Sequence, residues 1–291
     1  MILGSDSHTR YGAYGTMAIG EGGPELARQL LEKTYNISYP KVIAIYLTGA
    51  PIPGVGPQDV ALELIRSTFK DGTVKNAVME FFGPGVANLS MDYRSGIDVM
   101  TTETTCLSSV WVADDTLKDH LTVLGRGDQF KPQAPADGAY YDGVIHVELD
   151  KIRPMIALPF HPSNAYTIQE FKENMADLLH QVDEDTVHQL KLKSKPASLL
   201  DKIVDGKFMV DQGVIAGCSG GTYQNIVRAA QVLDGHAIGS DAFWLSVYPT
   251  SQPVNLELTR RGYIASLMAA GASIRSCFCG PCFGAGDVPA N

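Results

Sequence analysis

Cys218, Cys279 and Cys282 are the residues of this 291-residue chain with the most reactive prospects. Taken alone, Cys279-Gly-Pro-Cys282 suits a redox dithiol, half of a zinc site, or chance spacing. Cys277 or a histidine could complete a zinc site. The redox reading expects the pair at the start of a helix after a strand; here the pattern places it after a helix and before a Gly-rich stretch, which counts against that reading. Cys218 adds a third thiol. It ends the apolar run 213–216 and precedes Ser219-Gly-Gly-Thr222 and a helix. Small residues there let backbone N–H groups approach a cluster sulfide or an anion. Three thiolates on a four-iron cluster leave one iron without a protein ligand. That iron can take oxygen ligands and act as a Lewis acid.

The other candidates are plainer. Gly4-Ser-Asp-Ser-His-Thr9 reads by itself as a polar turn or a helix cap, and Glu103, flanked by four threonines, as a helix-end carboxylate. Cys106 reads as a small buried residue and Cys277 as a neighbour of the thiol pair. His161 lies in a proline-rich crossing and reads as structural. The remaining histidines outside the first turn read as surface or satisfied core residues. Gly83-Pro-Gly85 and Gly125-Arg-Gly127 do not complete a dinucleotide-binding glycine pattern.

These residues need a scaffold. A Gly-rich segment over 12–23 leads to a helix over 24–33, with Pro24 suited to its first turn. Strands are expected over 42–47, 77–82 and 144–149, and helices from 57, over 91–100 with extension past 104, and over 114–123. The proline-rich stretch 154–162 reads as a crossing between units. Beyond it come helices over 167–179 and 197–204, a basic linker over 191–195, and strands at 208–210 and 213–216. A helix over 222–233 and one long helix over 254–270 follow. Strands alternating with helices imply an α/β fold with mainly parallel sheets.

Composition sets limits. Hydrophobic residues make up 45% and charged residues 19%, enough for a sizeable core. The net charge of −9 and the lack of a Lys/Arg run argue against nucleic acid as a partner. No apolar stretch approaches the roughly 20 residues that span a bilayer, and the first residues lack the signature of a secretory signal. Five cysteines, three of them within 277–282, fit a reduced, cytoplasmic setting. The polar turn has no element expected before it, and the chain stops in a loop at 286–291; both ends suggest a piece of something longer.

Several stretches occur in the order seen in one family. They are Gly4-Ser-Asp-Ser-His-Thr9, Gly-Cys218 before a Gly/Ser-rich helix start, and Cys279-Gly-Pro-Cys282. Pro40-Lys-Val-Ile with Leu47-Thr-Gly49, Gly83-Pro-Gly-Val86, Thr102-Glu-Thr-Thr105, Tyr141-Asp142, Glu148-Leu149 and Pro154…Pro159…Pro162 support them. Across essentially its whole length the chain resembles the aconitase family, which includes aconitate hydratase and the large subunit of isopropylmalate dehydratase. The resemblance implies three-layer α/β/α units truncated at both ends. It assigns 1–40 to a remnant of the first domain, 41–160 to the second and 161–291 to a truncated, cluster-binding third. It implies that Cys218, Cys279 and Cys282 hold a 4Fe–4S cluster. Asp6 and His8 would hydrogen-bond the water or hydroxyl on the fourth iron, Ser7 would touch a substrate carboxylate, and Glu103 would handle the water. The implied partners are a small carboxylic acid and the rest of the parent chain or a swivelling domain or subunit.

Two departures stand out. The family commonly has Thr-Asn-Ser after the first cysteine, where this chain has Ser219-Gly-Gly. The family's second Asp-His pair, its carboxylate-binding arginines and its base serine have no counterpart, and Arg260, Arg261 and Arg275 do not map onto those arginines. The isolated segment is therefore expected to be inactive. The rival reading is a non-catalytic or degenerate relative that binds metal or regulates.

Overall fold

A computed structural model describes residues 1–193, 196–239 and 243–287. The chain divides into two compact units, Met1–Met155 and Ile156–Asn291. The division falls inside the proline-rich crossing expected from sequence.

The first unit opens with β1 (Ile2–Gly4), β2 (Ala18–Gly20) and α1 (Gly23–Leu30). It continues with β3 (Val42–Thr48), α2 (Pro57–Thr68), β4 (Val78–Phe82), α3 (Met91–Met100), β5 (Ser108–Trp111), α4 (Asp115–Val123) and β6 (Gly143–Glu148). Four strands form a parallel sheet in the order β5-β4-β3-β6. Consecutive burial of Ile43, Ala44 and Ile45 on β3 shows that this central strand is covered on both faces, as a parallel strand with a continuous apolar run should be. On α2, Val60, Ala61, Leu64, Ile65 and Thr68 recur at helical spacing and are all buried. Phe81 and Trp111, on neighbouring strands, stack with ring centres 4.2 Å apart.

Charges tie the helices down. Asp114 caps α4 by accepting from Leu117 N at 3.3 Å. Its two oxygens each accept from the fully buried Arg94 of α3 at 2.7 Å. Arg94 also donates to the carbonyls of Leu89 and Val86, so its charge is completely satisfied. Burial pushes the Asp114 carboxyl up, but the Arg94 guanidinium pulls it further down, and the net shift is downward.

Two sequence expectations fail here. The polar turn does have a preceding element: Ile2, Leu3 and Gly4 pair with Ala18, Ile19 and Gly20 in parallel register. The second strand of that pair lies in the segment read only as Gly-rich. Strand β5 was also not expected, because Ser108 and Ser109 look like a turn. Both are fully buried; Ser108 donates to Ala18 O at 2.6 Å and Ser109 to the Asp98 carboxylate at 2.6 Å.

The second unit contains β7 (Met155–Ala157, across the division), β8 (Ala165–Thr167), α5 (Ile168–Glu173), α6 (Met175–Gln189), β9 (Ile203–Val204) and β10 (Lys207–Phe208). Then come β11 (Gln212–Ile215), α7 (Gly217–Gly220), α8 (Tyr223–Leu233), β12 (Trp244–Val247), α9 (Gln252–Arg260), α10 (Tyr263–Ala269) and β13 (Ser273–Ile274). A parallel three-stranded sheet in the order β11-β12-β13 packs with α8, α9 and α10 around Ile226, Val247, Leu258 and Leu267.

Three helix expectations are corrected. The helix over 167–179 is two helices joined at Asn174, the second reaching Gln189. The helix over 197–204 is a 3-10 turn, Leu199–Lys202, followed by β9. The buried Asp183 carboxylate takes the Ser198 hydroxyl at 2.5 Å and Leu199 N at 3.0 Å, which fixes that turn. The antiparallel hairpin β9–β10 closes on Asp205-Gly206, both at positive φ (50° and 71°), the tight-turn pair that suits two-residue hairpins. The long helix over 254–270 breaks into α9 and α10 at Gly262, whose φ of 83° a helix cannot carry. The basic linker over 191–195 lies partly outside the described residues, at 194 and 195, as do 288–291 of the closing loop.

Candidate active site

In the first unit, the pairing of β1 with β2 sets Gly4 opposite Gly20. A methyl group on Gly4 would run into the Thr9 side chain, and one on Gly20 into the Asp6 carbonyl. These two glycines let the chain double back into a tight turn. Thr9 closes it, donating its N–H (3.0 Å) and its hydroxyl (2.7 Å) to the Asp6 carbonyl. The Asp6 carboxylate accepts from His8 N at 2.7 Å.

Glu103 arrives from the other side. Helix α3 tightens into the 3-10 turn Thr101–Thr104 and stops at Thr105, whose φ is 62°. The hydroxyls of Thr101 and Thr104 each donate back to a carbonyl three residues earlier, at 2.7 Å. The two turns then meet residue against neighbouring residue. Thr102 Oγ1 donates to Ser7 O at 2.6 Å, and His8 Nε2 lies 3.1 Å from Glu103 Oε1. His8 Nδ1 lies 3.1 Å from Ser7 Oγ and 3.8 Å from Asp6 Oδ1. A carboxylate can only accept, so a neutral His8 carries its proton on Nε2, toward Glu103, and its Nδ1 accepts from the Ser7 hydroxyl. The side chains of His8 and Glu103 are 26% and 27% exposed, so the pair keeps one face open to a ligand.

One partly buried and one fully buried charge brace this arrangement. Arg10 donates to the carbonyls of Ala18, Leu107 and Cys106 at 3.1–3.2 Å. It thereby bolts β2 to the segment that follows the Glu103 turn. The fully buried Asp98 carboxylate accepts from Ser109 Oγ (2.6 Å), Trp111 Nε1 (2.9 Å) and Ala13 N (3.2 Å). Burial pushes its carboxyl up, against the pull of those three donors and of Arg10. Sequence reasoning missed Arg10 and Asp98 because a lone charge carries no local sign of burial. Cys106 is buried as expected, its thiol 3.3 Å from Thr101 O.

The second unit carries the cysteines. Cys218 lies on α7, one residue past the left-handed Gly217 that turns the chain out of β11. Cys277, Cys279 and Cys282 follow β13, so the pair comes after a strand; the sequence reading placed it after a helix, which weakens that argument against a redox dithiol. Because β11, β12 and β13 are parallel and adjacent, both cysteine segments leave the carboxyl edge of one sheet, where open α/β sheets place their ligands. The segment after β12 touches both. Thr250 N donates to Gly221 O at 2.9 Å, three residues past Cys218. Tyr248 Oη donates to Asp287 at 2.9 Å, and Arg275 pairs with the same carboxylate at 2.9 Å. The nearby Ser246 hydroxyl, with the hydrogen bonds from Tyr248 and Arg275, holds the Asp287 carboxyl below its ordinary value.

Cys218, Cys279 and Cys282 are exposed and Cys277 is partly exposed, all as thiols. Among the described residues, no three His, Cys, Asp or Glu side chains are grouped to hold a metal ion. Cys218, Cys279 and Cys282 therefore do not stand as a ligand set among the described residues. Also among the described residues, no helix is long and apolar enough to cross a membrane.

The fold and site thus define a parallel α/β protein with an Asp-Ser-His turn seated on a glutamate in one unit and thiols at the edge of a parallel sheet in the other. Residues 1–291 match the aconitase family (aconitate hydratase), and the chain belongs to that family. It is 29% identical to the mitochondrial aconitate hydratase of Gracilaria gracilis, over 99% of this chain and 35% of that protein. It is 28% identical to the 2,3-dimethylmalate dehydratase large subunit of Eubacterium barkeri, over 98% of this chain and 59% of the relative. The 3-isopropylmalate dehydratase large subunit of Clostridium kluyveri matches equally, at 28% over 98% and 59%. The chain thus spans between about a third and three fifths of the length of these relatives.

Proposed function

We propose that this chain is part of a hydro-lyase that adds water to, or removes it from, a di- or tricarboxylic hydroxyacid. The observation that carries this reading is the His8–Glu103 pair at 3.1 Å, with Asp6 and Ser7 on the same turn. Removing a β-hydroxyl needs a proton for the leaving oxygen. His8 is the donor once the ligand displaces one of its two ring partners, Glu103 at Nε2 or Ser7 at Nδ1, and the Asp6 carboxylate lies 3.8 Å from Nδ1. Asp6 and His8 together hold the departing or entering water. Ser7, exposed beside the ring, takes a substrate carboxylate.

Cys218, Cys279 and Cys282 are the residues that would hold a 4Fe–4S cluster, which supplies a Lewis acid when bound. The assignment of 1–40, 41–160 and 161–291 to three family domains, the cytoplasmic setting, and a partner that completes the site belong to the same reading. The names of two relatives as large subunits support a separate small subunit as that partner. One observation favours a second reading, a degenerate relative without turnover: the cysteines are not grouped as a ligand set among the described residues. The test is a hydratase assay on the complete protein with citrate, isocitrate and isopropylmalate. Turnover of one of them is expected; a protein with its cluster in place and no turnover would favour the second reading.

A further inference from the structure

Ser7 sits between two demands. The proposed function gives its hydroxyl to a substrate carboxylate, yet that hydroxyl lies 3.1 Å from His8 Nδ1. While His8 is neutral, Glu103 claims the Nε2 proton, so Nδ1 is a bare acceptor and the one hydroxyl proton of Ser7 is spent on it. Ser7 then offers an incoming anion only lone pairs. When His8 takes a second proton, Nδ1–H donates to Ser7 Oγ, and the Ser7 proton is released toward the open side of the turn. We propose that the Ser7–His8–Glu103 chain couples capture of a carboxylate to uptake of one proton from solvent by His8. The inference rests on the proposed function, and deepens it by making substrate binding at this site proton-linked.

Ser7 is exposed, so a ligand can reach it, and His8 is partly exposed, so solvent can supply the proton. The Ser7 carbonyl accepts from Thr102 Oγ1 at 2.6 Å, which holds the backbone from which the hydroxyl reaches the ring. The charged groups around the imidazole are Asp6 on its own turn and Glu103 on the turn after α3. Arg10, two residues on, sends its guanidinium to the carbonyls of Ala18, Leu107 and Cys106. Glu21, just past β2, accepts the Tyr35 hydroxyl.

The experiment has two arms on the complete protein. Histidine-selective ¹⁵N NMR reads the His8 tautomer, and calorimetry in two buffers of different ionisation heat reads protons taken up with 2-isopropylmalate between about pH 6 and 8. Expected are an Nε2–H tautomer, uptake approaching one proton at the alkaline end, and affinity falling toward about tenfold per pH unit there. Ser7→Ala should lose affinity at the acid end and flatten that dependence. A neutral Nδ1–H tautomer, binding without proton uptake, or an unchanged pH profile in Ser7→Ala would each overturn the coupling. An Nε2–H tautomer with no binding at any pH would overturn it through the proposed function instead.

Discussion

Two hydrogen bonds between neighbouring residues of the two turns, Thr102 to Ser7 and His8 to Glu103, join parts of the chain that are 95 residues apart in sequence. Ring orientation depends on both, because the first fixes the backbone and the second the side chain. Replacing Thr102 with valine keeps the volume and removes the hydroxyl. We expect a stability loss of about 1 kcal/mol by chemical denaturation, together with a changed His8 ¹⁵N spectrum; an unchanged spectrum would show that the ring does not depend on that bond. The sequence alone leaves Asp6, His8 and Glu103 as a polar turn and a helix end. Only the family resemblance joins them, since nothing in local spacing can report a contact across 95 residues. Thr102 was part of a matching stretch, but its hydroxyl gained meaning only when the Ser7 carbonyl was found above it.

Strands and helices obey local rules where packing agrees with pattern. Strand β3 was legible because its apolar run is buried on both faces, and α2 because its buried positions keep helical spacing. Strand β5 was not, because Ser108 and Ser109 are buried through hydrogen bonds to partners distant in sequence. The split at Gly262 and the hairpin at Asp205-Gly206 had signals in glycine and the Asp-Gly pair, which the helical pattern around them masked. The close approach of β2 to the Asp6–His8 turn gives a direct test. Gly20→Ala places a methyl group against the Asp6 carbonyl, so the turn must shift. We expect a loss of about 1–3 kcal/mol, with the His8–Glu103 contact disturbed; a fully active, equally stable variant would contradict the packing described. The Arg94–Asp114 pair joins α3 to α4. Asp114→Asn leaves Arg94 uncompensated at full burial and should cost about 3–5 kcal/mol at neutral pH. The Asp114 carboxyl is depressed in the fold, so its contribution is present above the unfolded value near about 4 and is lost as pH falls through the folded value. Acid unfolding followed by circular dichroism should therefore flatten in the variant relative to the wild type.

At the scale of the whole molecule, each unit carries part of the proposed chemistry: the Asp6–His8 turn with Glu103 in the first, and thiols at the carboxyl edge of a parallel sheet in the second. The expectation of an α/β fold with mainly parallel sheets holds, and the proline-rich crossing marks the division at Met155 and Ile156. The proposal that Cys218, Cys279 and Cys282 hold a cluster is tested by loading it. Anaerobic reconstitution with iron and sulfide should load the complete protein. Cys218→Ala, Cys279→Ala and Cys282→Ala should each lower the iron and sulfide bound, whereas Cys106→Ala should leave them unchanged. Stoichiometric zinc held by the same cysteines after reconstitution would point to the second reading instead. The claim on which the account turns is that His8 and Glu103 together move the proton of a hydration reaction. Its most direct measurement is the hydratase kcat of the reconstituted complete protein beside that of Glu103→Gln. The account predicts a fall of about 10²- to 10⁴-fold with cluster content and folding unchanged; equal rates in the two proteins would contradict it.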